Sequence, residues 1–576
     1  MRKVLLFALC VAASVVAQAQ PTVNNSWTKS QMGILPVKDV NNSNPVALSA
    51  QGDMYVTGLF AGDGFSFAGT DLAPIAVSSY LLKYGADGTE KWGVVLAGAA
   101  TIKAITTDAS GNVYIAGNFA DVVEFGSTDG KAIEKEGVKM GGAFITEQAA
   151  SFIAKYDPEG ILKAVQSFVP VALPELEATG MYDPLAGDYR FDINTLVYDS
   201  GKLYASASYT GLTENNNFSF KGGYFDYFGG GFYYGDLKCG AIFSLNDQLE
   251  VSGIIANIGV TGGQSIEEAS VSSTSFAIVG GKLYSGFVVS GGQTLTIGSQ
   301  KQEFNLFQEE GMTEYGYILS VIDLTDGTSA LTKKYTTTHD ILPNSSIIKS
   351  MIAKDNVLLV GGTFNKQLPF DTNKTSVSTN DIYVVGLNPN TLDVNWSAIS
   401  AFNEGEEKKK NEVFSGMALA GDYVYAIGYS SDIASHAAET PLAFWVNISN
   451  GTMTQSNPAN LTTGVAALGT KLATAQTKVA NDKLENIFSL NEVTGGGGTG
   501  ISSTEQGAGV SVYPNPVVDV LNFTTPCNVA VINLMGVTVK QAENVSNLNV
   551  SDLINGQYIV KVTTEDGTST VKVIKK

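Results

Sequence analysis

Thr101-Ile-Lys-Ala-Ile-Thr-Thr107, then Asp108-Ala-Ser-Gly-Asn112 and Val113-Tyr-Ile-Ala-Gly117, reads as a β-hairpin: alternating apolar and polar residues, a turn, and a second strand. After an excursion through Glu124-Phe-Gly126 a second pair follows, Ser151-Phe-Ile-Ala-Lys-Tyr156 and Ile161 to Phe168, joined by Asp157-Pro-Glu-Gly160. In that turn proline pre-sets φ and glycine supplies the positive φ. Four strands in a row between Thr101 and Pro170 predict one blade of a β-propeller.

The pattern returns six more times, which sets the architecture before any local detail. Ahead of this unit stand Asp53-Met-Tyr-Val-Thr-Gly58, Tyr80-Leu-Leu-Lys-Tyr84, the turn Ala86-Asp-Gly88 and Lys91-Trp92. Behind it come Gly201-Lys-Leu-Tyr204 with Ala241-Ile-Phe-Ser-Leu245, and Gly281-Lys-Leu-Tyr284 with Tyr317-Ile-Leu-Ser-Val-Ile-Asp323. Looser copies are Asn356-Val-Leu-Leu-Val-Gly361 with Asp381-Ile-Tyr-Val-Val385 and Trp396, and Asp422-Tyr-Val-Tyr-Ala-Ile-Gly428 with Ala443-Phe-Trp-Val446. A last copy runs from Val465 through Asn486-Ile-Phe-Ser-Leu490 into Thr494-Gly-Gly-Gly-Gly-Thr-Gly500, and it lacks a fourth strand.

Ser26-Trp-Thr-Lys-Ser-Gln-Met-Gly-Ile34 precedes the first copy and matches the fourth strands around Trp92 and Trp396. Pairing it with the last copy closes the ring and leaves only short, protected edges. Seven blades are expected. The copies resemble the bacterial surface-protein β-propeller repeats, with Gly-Asn-Val-Tyr-x-x-Gly, then Phe-x-x-Lys-Tyr-Asp, then Gly and Trp. That resemblance implies a fold and an exposed location, and no reaction.

Met1 to Ala19 has the parts of a secretory signal: Arg2 and Lys3, an apolar run from Val4 to Val16, and the small-residue exit Ala17-Gln-Ala19. The run is shorter than the ~20 residues that cross a bilayer, and no other stretch is long enough, so the mature chain is expected to begin at Gln20 without a transmembrane segment. Few charged residues and abundant Gly and Tyr agree with an exported β-rich protein. The formal charge is -20, and without Arg2 and Lys3 it is -22, a surface that repels nucleic acid. With Cys10 in the leader, Cys239 and Cys527 remain in separate domains, and no disulfide framework is implied.

Beyond the Gly-rich linker (494–507) the composition changes: from 508 to 576 five basic and five acidic residues cancel, so the acidity belongs to residues 20–493. Alternating strands over this stretch are compatible with a small immunoglobulin-like β-sandwich. The fold class expected for the whole is therefore all-β, a seven-bladed β-propeller followed by that sandwich. Val512-Tyr-Pro-Asn-Pro516, Val518-Asp-Val-Leu-Asn-Phe523, Val529 to Leu534 before Gly536, Leu553-Ile-Asn-Gly-Gln-Tyr-Ile-Val560 and Lys572-Val-Ile-Lys-Lys576 resemble the type A C-terminal sorting domain of the type IX secretion system. The resemblance implies a Bacteroidota cell, passage through the periplasm, type IX machinery as partner, and a product released or held on the surface. It assigns the sorting role to Pro514, Asn515 and Pro516 at the entry and to Gly556 and Tyr558 before the last strands. Cleavage is expected between Thr494 and Gly509.

Chemistry is thinly represented. His339 and His436 lie in different copies without neighbouring ligands, so neither a zinc site nor a histidine-based triad is expected, and the Asp-x-x-Gly turns lack the oxygen donors of a calcium loop. No cofactor is expected. Two insertions depart from the repeat: residues 171–190, and residues 210–238 with Phe218, Phe220, Tyr224, Phe225, Tyr227, Phe228, Phe232, Tyr233 and Tyr234 among glycines. Aromatics at that density either pack on neighbouring strands or form a binding platform. If a platform, Tyr227, Tyr233 and Tyr234 are the expected contacts, with Phe225 and Phe228 as anchors. Two functions follow: a non-catalytic secreted or surface protein binding a glycan or a host surface protein, or a hydrolase or lyase using carboxylates and tyrosines at the propeller face.

Overall fold

The computed structural model describes residues 20–33, 45–75, 77–138, 150–174, 189–226, 234–262, 270–297, 299–305, 308–309, 312–340, 347–354, 356–400, 410–432, 438–480, 483–494, 512–533, 538–564 and 567–576. The described residues fall into two compact units, Gln20–Thr494 and a C-terminal one that holds 512–576. The chain is all-β.

The first unit is a succession of four-stranded antiparallel meanders. In the first, Val46–Leu48, Met54–Phe60, Ser78–Tyr84 and Glu90–Ala97 pair in that order. The second is the unit read from the sequence: Ala100–Thr107, Val113–Phe119, Ala150–Tyr156 and Leu162–Phe168. Later meanders open with Phe191–Asp199, Ser270–Val279, Ile347–Lys354, Lys410–Ala420 and Leu461–Leu468. These opening strands touch one another in chain order, and Leu461–Leu468 touches Val46–Leu48, so the cycle closes. That cyclic order is a β-propeller, with the opening strands innermost.

Burial explains the sequence pattern. The second and third strands of a meander are covered on both faces, so Met54–Phe60 and Ser78–Tyr84 are buried almost throughout. Each apolar cluster spans two neighbouring meanders; Met54, Val56, Tyr80 and Tyr84 of the first share one with Ala473, Ala475, Phe488 and Leu490 of the last. No meander holds a complete core alone.

The last meander is completed by Thr22–Gly33, which pairs with Lys483–Thr494 from Thr22↔Thr494 to Gly33↔Leu484. This strand is longer than the segment from Ser26 to Ile34 expected from sequence, because the pairing begins four residues earlier and Ile34 falls outside the described residues.

The repeated glycine and tryptophan form a lock between meanders. Trp27 Nε1–H donates to Ala86 O at 3.1 Å, Trp92 to Pro158 O at 2.8 Å, and Trp396 to Ile448 O at 2.8 Å, each time in the turn between the third and fourth strands of the following meander. The indole lies against a glycine of that turn. A Cβ on Gly88, Gly160 or Gly451 would fall 2.8, 2.7 or 2.6 Å from the ring. Gly160 also has φ +84°, so Gly160→Ala combines a left-handed alanine with a ring clash. It is expected to cost about 2–4 kcal/mol, measured by urea unfolding of the full chain; an unchanged midpoint would show that the lock is incidental.

The excursion after Phe119 does not extend its own meander. Val122–Phe125 and Ile133–Glu136 join the outer edge of the first meander through Glu90–Ala97. Gly292–Ile297 and Gln300–Asn305 of the fourth likewise cover the outer strand of the third, Val251–Gly262. Otherwise bare edges are thereby paired.

The C-terminal unit holds Val512–Tyr513, Val520–Ile532, Thr538–Asn549, Gly556–Thr564 and Gly567–Lys575 in one sheet, around Val517, Leu521, Phe523, Val529, Val531, Leu548, Val560, Val562 and Val573. Cys527 is buried here and Cys239 in the first unit, both as free thiols.

Candidate functional site

In an antiparallel meander the first-to-second and third-to-fourth connections share one end, and all others share the opposite end. At the first end the turns are tight, such as Asp108–Asn112, whose carboxylate accepts from the Ser110 and Asn112 amides at 2.9 Å. Among the described strands the long connections all leave and return at the other end. They include 120–149 and 210–238, and those from Phe168 to Phe191 and from Ile399 to Lys410. Loops borne on a rigid scaffold are where recognition resides.

The innermost strands carry a shared irregularity near this end. In every one except the short Val46–Leu48, one residue bulges out of the ladder: Lys103, Asn194, Ser272, Lys349, Ser415 and Thr463. A bulge turns an extra side chain out of the pleat and re-aims it. Facing the bulge at Lys103 is Gly117, where a Cβ would sit 1.9 Å from Thr101 O. This gives the glycine of Val-Tyr-x-x-Gly its steric reason.

Three of the four neutral bulge residues fold back on their own meander. Asn194 Nδ2–H reaches Ser208 Oγ at 3.4 Å, Ser272 Oγ–H donates to Val288 O at 3.1 Å, and Thr463 Oγ1–H to Ala475 O at 3.3 Å. The two lysines are too long to do so. Lys103 Nζ crosses to the next meander and meets Asp192 Oδ1 at 3.3 Å, while Arg190 Nε holds Asp192 Oδ2 at 3.1 Å. Asp192 is buried, and burial works to raise its pKa; the charges of Lys103, then Arg190, outweigh this and hold the carboxyl below its usual range.

Lys349 stands on the fifth innermost strand, not adjacent in the ring to those of Lys103 and Asp192, yet its charge is felt by both. The three charges therefore lie within Coulombic reach of one another. Among the described residues Lys349 makes no hydrogen bond or ion pair. Lys349 is exposed on its strand; desolvation by the surrounding protein and then the charge of Lys103 push its ammonium below the ordinary lysine range, Asp192 opposes this, and the exposure screens the shift. Glu412, on the innermost strand Lys410–Ala420, is buried and accepts from Ser400 Oγ–H. Among the described residues no group of three or more His, Cys, Asp or Glu side chains gathers as a metal site.

The aromatic insertion divides. Phe220 is buried, with its ring centroid 5.2 Å from that of Phe191, 5.6 Å from Tyr209 and 5.1 Å from Phe243, and partly buried Phe218 packs on the same cluster. This stretch is core. Tyr224 and Phe225 lie on Gly223–Asp226, which pairs with Tyr234–Leu237, so Tyr234 stands opposite Asp226. Tyr227, Phe228, Phe232 and Tyr233 lie outside the described residues, as does His436; His339 lies on Ser329–Asp340. Sequence reading missed Lys103, Arg190, Asp192 and Lys349. The one available signal was a lysine two or three positions into an opening strand, where other copies place Ser, Thr or Asn.

In the C-terminal unit the two sorting segments meet at the last strand. Asn515 Oδ1 accepts from the Ile574 amide at 2.9 Å, the Val517 amide donates to Ile574 O at 2.8 Å, and both prolines, Pro514 and Pro516, follow cis bonds. From the other side Gly556 pairs with Lys575 and Tyr558 with Val573, while Tyr558 O–H donates to Ile554 O at 2.8 Å. Residues 511–576 match the family model described as the secretion system C-terminal sorting domain. The chain carries a type IX sorting tail. Such a tail directs export to the outer cell surface or secretion, and its partner is the type IX machinery. No helix among the described residues is long and apolar enough to cross a membrane.

No curated protein sequence matches the chain. Among solved structures it is similar to the Dos1 propeller (10% identity, 81% of this chain, 95% of that one, TM-score 0.38). It is also similar to the polysaccharide lyase Uly1 (9%, 82% and 99%, 0.38) and to the β-propeller domain of the Trilobed protease from Pyrococcus furiosus (10%, 72% and 96%, 0.27). These scores are too low for any of the three to bear on ligand or reaction.

Proposed function

We propose that this chain is an exported, non-catalytic binding protein of a Bacteroidota cell. Its parts are a signal peptide at 1–19, a seven-bladed β-propeller at 20–493, a Gly-rich linker at 494–507 and a sorting domain of immunoglobulin-like sandwich type at 508–576. The cyclic contact of the innermost strands, with Thr22–Gly33 completing the last meander, supports seven blades.

The observation that carries the binding reading is the one-sided distribution of long connections: tight turns at one end of every meander, inserted segments at the other. The ligand in this reading is a glycan or a host surface protein. Two enclosed carboxyls, Asp192 and Asp381, are unsuited to serve a hydrolase or lyase. A general acid needs a raised pKa and access to substrate, whereas Asp192 is held ionised between two cations. Asp381, whose pKa burial raises, is enclosed and accepts from the Val377 and Ser378 amides at 2.7 and 3.0 Å.

Tyr227, Tyr233 and Tyr234 are the proposed contacts, since tyrosine offers an apolar face for a sugar ring and a hydroxyl suited to a wet interface. Changing all three to alanine is expected to abolish binding on a glycan and matrix-protein array with an unchanged melting temperature. Binding that survives the triple variant assigns the insertion to packing, in line with Phe220.

A further inference from the structure

We propose that the channel end lined by Lys103 and Lys349 is a binding site for an oxyanion, a carboxylate or sulfate presented by an acidic sugar. The site is separate from the tyrosine platform. Three observations carry it: the bulges that turn both lysines out of the ladder, the sharing of Asp192 by Lys103 and Arg190, and the absence of any hydrogen bond or ion pair to Lys349 among the described residues.

The charge balance points to an anion. Lys103 and Arg190 hold the carboxylate of Asp192, and the charges of Lys349 and Lys238 lie within reach of it, so cations outnumber this carboxylate in a chain whose net charge is -20. The Lys349 side chain is exposed and its ammonium has no partner among the described residues, so Nζ is open to an oxyanion and to the charge-assisted hydrogen bond it would accept. The buried carboxylate also serves the site. By engaging Lys103 and Arg190 it fixes their positions without neutralising the whole, and Lys349 is left to meet the ligand. The alternative, a site for a cation, would require Asp192 to leave two partners.

Titration calorimetry of the full chain at low salt, with glucuronate, inorganic sulfate and glucose as separate titrants, tests this. Glucuronate is expected to bind and glucose not to. Lys349→Gln should weaken glucuronate binding about tenfold or more, while Lys349→Arg should retain it at an unchanged melting temperature. Tighter binding of glucuronate than of sulfate supports an acidic sugar; sulfate binding as tightly overturns the sugar part and leaves a free-oxyanion site. Absence of both, or equal glucuronate affinity of wild type and Lys349→Gln, overturns the site. Should Lys349→Gln fail to fold, selenate soaked into crystals of the wild-type chain decides: anomalous density in contact with Lys349 Nζ is expected, and its absence counts against the proposal. Loss of array binding in the tyrosine variant with glucuronate binding intact would separate this site from the platform.

Discussion

A chain lacking Gln20–Gly33 is expected to lose the closed ring and to melt at least about 5–10 °C lower, or to aggregate. The deleted strand pairs with Lys483–Thr494 along nearly its whole length, and its side chains tie the last meander to the first. Trp27 reaches Ala86 O and lies 5.5 Å from the Tyr84 ring, and Gln31 Nε2–H donates to Tyr84 Oη at 3.0 Å; within the last meander Asn25 Nδ2–H meets Asn491 Oδ1 at 3.1 Å. Without them a 12-residue strand becomes a bare edge beside an opened core, a template for pairing with other chains. Trp27→Ala alone should cost about 3 kcal/mol, at the low end for a large aromatic because the ring is only partly buried. Circular dichroism melting of both variants measures this. A truncated chain as stable as the intact one would falsify the closure.

Removal of residues 511–576 is expected to abolish appearance outside the cell while leaving a folded propeller in the periplasm. The effect should be all-or-none, because the sorting tail acts as an address and the first unit, Gln20–Thr494, contains its own core. Cell fractionation with a protease-protection assay separates the outcomes. Normal surface exposure of the truncated chain would exclude the tail as the signal. Mass spectrometry of the exported wild type should find a new C-terminus between Thr494 and Gly509, the stretch where the sequence offers glycine in place of strand-forming residues.

Within the fold, local residue pattern and final structure agree wherever one blade suffices to define the pattern. The hairpin of Thr101 to Gly117, the turn at Asp157–Gly160 and the pairing of Ser151–Phe168 all rest on residues fewer than twenty positions from one another. The tryptophan at position 27 was legible as a fourth strand because Trp92 and Trp396 repeat its setting, and the sorting tail because its short segments keep their order.

The candidate site had no such local signature. Lys103 and Lys349 look like any lysine on a half-exposed strand, and Asp192 and Arg190 like loop-edge charges. One added residue in a ladder decides whether a side chain stays in the pleat or leaves it, and the sequence places that residue only through packing against the neighbouring meander. Phe220 was ambiguous for the same reason: whether an aromatic in an inserted loop lies in water or against Phe191, Tyr209 and Phe243 depends on where the loop falls back. The sequence by itself determined the repeat, the closing strand and the address, since each is written in short-range periodicity and turn chemistry. The tertiary structure alone decided that charges some 250 positions apart in the chain, Lys103 and Lys349, face one channel, because only closure of the ring brings non-adjacent blades within Coulombic reach.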